Sequence, residues 1–243
     1  MDKCPSIFCK TASYNPAVSY QIDLAQLQPH ELRRTLGPDD IDPILEALTQ
    51  AKLAGQRVLA PDVYPECLEL RVAEEADWDA LGASLQGALA AKAMRDELHE
   101  LDFVQVGAFR LEGLPYPRNF FAYTKTIDTF AALYLSDLEG PAPYLEMFTL
   151  HRDSSEAANS GMLGIVSSSA ATPEPIDPSP NLTWLPDPGV SPAQLFQLHR
   201  NKVIGIGKAN KRAETAEDFQ AAYLEIWNAN FSSWRERGVL VKP

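Results

Sequence analysis

Between Asp102 and Ala170 the chain offers one short extended segment after another: FVQVGAFRLEG, RNFFAYTKT, TFAALYLSD, PYLEMFTLHRD and GMLGIVSSSA. Short runs carrying Gly, Pro, Asp or Asn separate them. Parallel strands need crossovers of roughly a dozen residues or more, so connections this brief imply hairpins. The stretch predicts an antiparallel meander of about five strands. Alternation within the first segment puts Phe103, Gln105, Gly107, Phe109 and Leu111 on one face. Val104, Val106, Ala108 and Arg110 take the other. Both faces are fairly apolar, which calls for helices or loops over each.

The flanking regions supply helices. DLAQLQPHELRRTLG carries Leu24, Leu27, Leu32 and Leu36, with Gly37 as a stop. In PDDIDPILEALTQAKLAGQ, Asp39 or Asp40 can cap, Pro43 sits in the first turn, and Ile41, Ile44, Leu45 and Leu48 form a stripe closed by Gly55. ECLELRVA alternates Leu68, Leu70 and Val72 against Cys67, Glu69 and Arg71, the pattern of a half-buried strand. Residues 74–99 read as the longest helix of this half, with Trp78, Leu81, Leu85, Leu89 and Leu98 along one side. After the meander, ATPEPIDPSPNLTWLPDPGVSP is too rich in proline for a central strand. It has the character of a stiff crossing over the surface anchored by Trp184; Pro175 and Pro178 also spell a P-x-x-P that a proline-reading domain could bind. Two helices follow. One is capped by Ser191 with Pro192 in its first position; the other stripes Phe219, Tyr223, Ile226, Trp227, Phe231 and Trp234, aromatics at the spacing of a core face.

A formal charge of −12 repels phosphate backbones and anionic lipid, which argues against nucleic-acid and membrane-surface partners. It suits a basic protein partner. No apolar run approaches the ~18 residues of a membrane span, and the opening MDKCPSIFCKTASYNP lacks the apolar core of a secretory signal. Three cysteines, Cys4, Cys9 and Cys67, do not suggest a disulfide framework, so a cytoplasmic protein with reduced thiols is expected. Their spacing requires no metal site, and no cofactor is implied.

Two stretches resemble catalytic motifs. NKVIGIGKANKRAE lacks the serine or threonine that a P-loop needs after Gly207-Lys208. Asn210 occupies the third glycine position of a dinucleotide fingerprint, and a helix precedes it where a strand is required. What remains is anion binding by Lys208, Lys211 and Arg212 near a helix start, set against a plain helix hairpin in which Gly205 is the stop. HRDSSEAANS begins like a kinase catalytic loop, but Ala158 stands where the metal-binding asparagine belongs. His151 and Asp153 could still act as an acid/base pair, with Arg152 or Lys208 receiving an anion; the alternative is a polar hairpin tip beyond a strand whose apolar positions are Tyr144, Met147 and Leu150. His99 and His199 each read as helix C-terminal histidines favoured by the dipole.

The expectation is an α+β chain: one domain over residues 1–243, a mostly antiparallel sheet of about five or six strands, and flanking N-terminal and C-terminal helices. An internal boundary, if present, falls near 99–102, and 170–190 is a Pro-rich connection. With no complete catalytic motif, the leading functional reading is a binding or protein-interaction domain without catalysis. The alternatives are an atypical hydrolase or transferase using His151 and Asp153, and capture of a small ligand between the sheet and the helix at 77–99. Assembly into a homo-oligomer is left open.

Overall fold

The computed structural model describes residues 19–37, 41–66, 68–74, 85–114, 118–125, 128–135, 142–151, 162–171, 174–206 and 213–242, the side chains of 85–88 excepted. The fold is α+β. Its main sheet has seven strands in the order β3-β4-β5-β6-β7-β8-β9. These are β3 (Glu69–Val72), β4 (Val104–Glu112), β5 (Arg118–Lys125), β6 (Thr129–Leu135), β7 (Tyr144–Leu150), β8 (Gly164–Ser168) and β9 (Leu182–Pro186). From β3 to β8 every neighbour is antiparallel and sequential. This is the meander that short connections dictate, widened beyond the expected five or six strands because β3 and β9 join its edges. β9 pairs parallel with β8, returning through the proline-rich segment. Pro186 is tolerated there because an edge strand does not need every N–H. A second sheet orders β10 (Leu240–Val241), β1 (Ser19–Asp23) and β2 (Leu59–Pro65), all antiparallel.

Helices cover both faces of the main sheet. One face packs Phe109, Phe120, Phe130 and Phe148 around Phe219 of the helix Ala216–Glu236, with ring centroids 5.4–6.0 Å from Phe219. The other packs Tyr123, Leu133 and Met147 against Leu98 and Leu195, from the helices Leu85–Glu100 and Pro192–Ile206. In chain order the helices are α1 (Pro29–Leu36), α2 (Ile41–Leu53), α3 (Leu85–Glu100), α4 (Pro192–Ile206) and α5 (Ala216–Glu236). The far half of α5, with Phe231 and Trp234, packs on Tyr20, Ile22, Leu32 and Leu48 beside the small sheet.

The alternation read along the first strand breaks at a bulge. Gln105 opposes Tyr123, but Gly107 opposes Ala122. One additional residue flips every later side chain to the opposite face. Phe103 therefore packs with α3 and α4, whereas Phe109 and Leu111 face α5.

Helix ends follow local chemistry. Thr215 and Asp218 form a reciprocal capping box on α5. Its other end closes through Gly238 (φ 74°), with Val239 N–H donating to Trp234 O at 2.8 Å, the Schellman arrangement. Gly55 closes α2 likewise, as expected, and Asp102 (φ 60°) takes the glycine role at the end of α3, where Phe103 N–H donates to Leu98 O. Three expectations need correction. Leu89 is 60% exposed; α3 buries Leu98, as expected, with Ala91 in place of Leu89. Ile44 of the α2 stripe is 41% exposed. Gly205 lies inside α4, which continues to Ile206; the basic turn after it lies outside the described residues.

The proline-rich crossing is tied down. Asp177 N–H donates to Glu31 Oε1 at 2.7 Å, Trp234 Nε1 donates to Asp177 O at 2.8 Å, and Ser179 N–H donates to Asn230 Oδ1 at 2.8 Å. The Asp177 carboxylate pairs with Arg34 and with His30. Trp184, the expected anchor, packs half-buried on the α5-side core. Among the described residues no helix is long and apolar enough to cross a membrane.

Candidate functional site

Of the candidate acid/base and anion-binding residues, His151 alone falls among the described ones; Arg152, Asp153, Lys208, Lys211 and Arg212 lie outside them. His151 follows β7 directly and is not at a solvated tip. It is buried, and its backbone N–H donates to Leu163 O at 2.8 Å. In β7 the faces alternate strictly: Leu145, Met147 and Thr149 point toward α3 and α4, while Tyr144, Glu146, Phe148 and Leu150 point toward α5. The helical spacing of Tyr144, Met147 and Leu150 therefore does not define an apolar side of this strand.

On the α4 side lies a sealed network around His199. Its Nε2 is 2.9 Å from Thr149 Oγ1, and its Nδ1 is 3.0 Å from Ser167 Oγ. Thr149 donates its one hydroxyl proton to Asp128 O. It must therefore accept from His199, which places the imidazole proton on Nε2 and makes Ser167 the donor to Nδ1. Burial pushes the imidazole down to about 4; the neighbouring Asp128 charge pulls it up, and Arg200 and His151 push it down. A serine donating to a neutral histidine has the outline of a nucleophile and its base. Two facts deny it that role. The Asp128 carboxylate is held by Arg200 at 2.8–2.9 Å and does not orient the imidazole. Thr149, Ser167 and His199 are fully buried, so no substrate atom can approach. The network is a clamp joining α4 to β7 and β8. His199 is thus a mid-helix core residue, not the dipole-stabilised terminal histidine its neighbours suggested.

The opposite face of the same strands carries a cluster that does reach solvent. Register aligns Tyr134 with Phe120 and Tyr144, and Glu146 with Ala132 and Ser168. Arg118, two residues before Phe120, opens the row. Arg118 Nη1 donates to Glu174 Oε1 at 2.9 Å, and these side chains are 37% and 36% exposed. Tyr134 and Tyr144 stack at 4.6 Å. The Tyr134 hydroxyl is 2.8 Å from that of Tyr223 on α5. Glu146 forms the floor, 9% exposed, accepting from Ser168 Oγ at 3.3 Å. Charge thus descends from the Glu174–Arg118 pair at the surface to a buried carboxyl.

Burial pushes the Glu146 carboxyl up to about 7, and the Glu174 charge adds to this; Arg118 and hydrogen bonds from Tyr134 and Ser168 pull it back. Burial likewise raises Tyr134 and Tyr144 well above the ordinary phenol value, and raises Tyr223. The Glu174 charge raises Arg118 further, so its guanidinium stays charged. Near pH 7 the proton this cluster can exchange therefore belongs to Glu146. When Glu146 is ionised, Tyr134 donates to it and must accept from Tyr223, so the hydroxyl chain acquires one direction. One turn further along α5, the buried Trp227 Nε1 has no hydrogen-bond partner among the described residues.

The sequence did carry a signal for this site. PYLEMFTL is an apolar strand broken by one carboxylate at an inward position, and a buried charge needs a reason. Among the described residues no three His, Cys, Asp or Glu side chains converge as metal ligands. Comparison with known proteins finds no matching family model, no matching curated protein and no matching solved structure.

Proposed function

We propose that this protein binds a small polar ligand at the cluster of Arg118, Tyr144, Glu146, Glu174 and Tyr223. The observation that carries the reading is Glu146, a buried carboxyl at the foot of a solvent-reaching ion pair. Keeping such a group costs stability, and clusters that keep one near its titration point are enriched at binding and catalytic sites. The site lies beneath α5, so it differs from capture against the helix preceding the meander. The acid/base reading of His151 draws less support, since His151 is buried on the opposite face.

A thermal-shift screen of metabolites and nucleotides near pH 7.5 tests this. A ligand at about 100 times its Kd adds about 2.7 kcal/mol to stability. Hits should lose their shift in Glu146→Gln and show an altered one in Arg118→Gln. A screen without hits, or hits indifferent to both changes, would sink the reading. A basic protein partner is the second reading, supported by the charge of −12. Its signature would be capture from host lysate that weakens steeply between 50 and 300 mM salt, on the order of the screening expected over these concentrations.

A further inference from the structure

We infer that the ligand of this cluster is a small organic cation, a primary ammonium or guanidinium group, with Glu146 as its counter-ion. The inference rests on the ligand-site reading above and goes further by fixing the charge of what binds. Two carboxylates, Glu146 and Glu174, share the cluster with one guanidinium, Arg118. That guanidinium is already engaged at the surface by Glu174 at 2.9 Å, and its second contact is the Tyr144 hydroxyl at 3.5 Å. Glu146 has no cation in direct contact among the described residues; its hydrogen bonds come from neutral hydroxyls. Counted over the described residues, the ionised cluster is one positive charge short.

Among the described residues, the titratable and charged groups around Glu146 come from five elements. Arg118 comes from β5, Tyr134 from β6, Tyr144 from β7, Glu174 from the crossing segment and Tyr223 from α5. Ser168 of β8 adds a neutral hydroxyl. The tyrosines remain neutral phenols, and neutral aromatic faces attract an ammonium or guanidinium ion. An anion would instead have to displace Glu174 from Arg118 and lie near a second carboxylate. The surroundings oppose that on both counts.

The test uses four probes of one chain length: n-butylammonium, n-butylguanidinium, butyrate and n-butanol, titrated into the full chain at pH 6 and pH 8 by calorimetry. The cations should bind, butyrate and butanol should not, and the cation affinity should rise about tenfold between the two pH values as Glu146 ionises. Binding at pH 6 should release a proton, read from the dependence of the heat on buffer ionisation. Glu146→Gln should abolish cation binding and its pH dependence. Glu174→Gln, which frees the Arg118 charge, should weaken it severalfold while keeping the pH dependence. Preference for butyrate or butanol, or cation binding that is flat with pH, overturns the inference. So does silence of all four probes at tens of millimolar; in each of these cases a hit in the broad screen keeps the ligand-site reading alive, and a failed screen removes both.

Discussion

Ser167 and Ser168, neighbours in β8, belong to two networks on opposite faces of the sheet. Ser167 lies 3.0 Å from His199 Nδ1, and Ser168 donates to Glu146 at 3.3 Å. A single step along the strand separates a buried base kept neutral from a buried acid that titrates near pH 7.

These groups act on stability with opposite sign. Glu146 holds its proton to about pH 7 when folded, against 4.5 for the ordinary carboxyl. Between those values unfolding releases a proton, so stability falls as pH rises, by about 3 kcal/mol in all. His199 has the reverse behaviour: folded near 4, ordinarily 6.5. The unfolded chain takes up the proton first, so stability falls as pH drops through that window, again by about 3 kcal/mol. The two slopes cancel over most of pH 4.5–6.5. Glu146→Gln should therefore expose an acid-labile protein, more stable than wild type at pH 8 by about 2–3 kcal/mol. His199→Asn should lose its own slope and retain the fall in stability between pH 4.5 and about pH 7 that Glu146 causes. Urea denaturation across pH, read as differences from wild type, checks both; parallel curves would refute the assignment.

Glu31 is a buried carboxylate that accepts from Gln28 N–H at 2.7 Å, Asp177 N–H at 2.7 Å and Arg237 Nη2 at 2.6 Å. Glu31→Ala strands two backbone donors and the Arg237 charge, and should cost about 3–5 kcal/mol. The midpoint of urea denaturation reports it. A loss below about 1 kcal/mol would mean that water replaces the carboxylate.

Two glycines should respond oppositely to alanine. A Cβ on Gly164 would meet Thr149 O at 2.6 Å and Leu150 Cδ2 at 2.8 Å, where β8 starts against β7. Gly164→Ala should cost about 1–3 kcal/mol. Gly205 lies in α4 with nothing within 4 Å of the same position, so Gly205→Ala should gain about 0.5–1 kcal/mol. Thermal unfolding of the pair decides whether the helix persists through Gly205.

At the end of α3, Asp102 holds φ at 60°, a conformation that costs a residue with a Cβ about 1 kcal/mol. Asp102→Gly should recover part of that, and Asp102→Val should lose more. Equal stabilities for the two variants would contradict a left-handed backbone there.

The sequence made the fold class legible through turn residues: hairpins follow from connection length, and Ser191, Gly55 and Pro192 mark helix ends by chemistry that needs no tertiary context. The faces of β4 were not legible. The bulge at Gln105–Gly107 changes parity by one residue, and its cause lies in pairing with β5. His199 was hidden for a related reason: between Leu198 and Arg200 it looks like a surface histidine, and only the approach of β7 and β8 gives it partners. Glu146 stood in view, a lone charge in an apolar strand, but its significance depends on Tyr134, Ser168 and Glu174, which hairpins and the proline-rich crossing bring to it.

The small sheet has a consequence for synthesis. β1 is its central strand, and one of its neighbours is β10; Glu31 meets Arg237 across 206 residues. At about 5–20 residues per second, the earliest described strand waits on the order of 10–40 s for that partner to be made. Through that interval the main sheet can assemble, since its hairpins close locally, while β1 and the Glu31 carboxylate stay open. A nascent chain stalled before residue 237 should therefore hold a protease-resistant meander and a protease-sensitive leading segment.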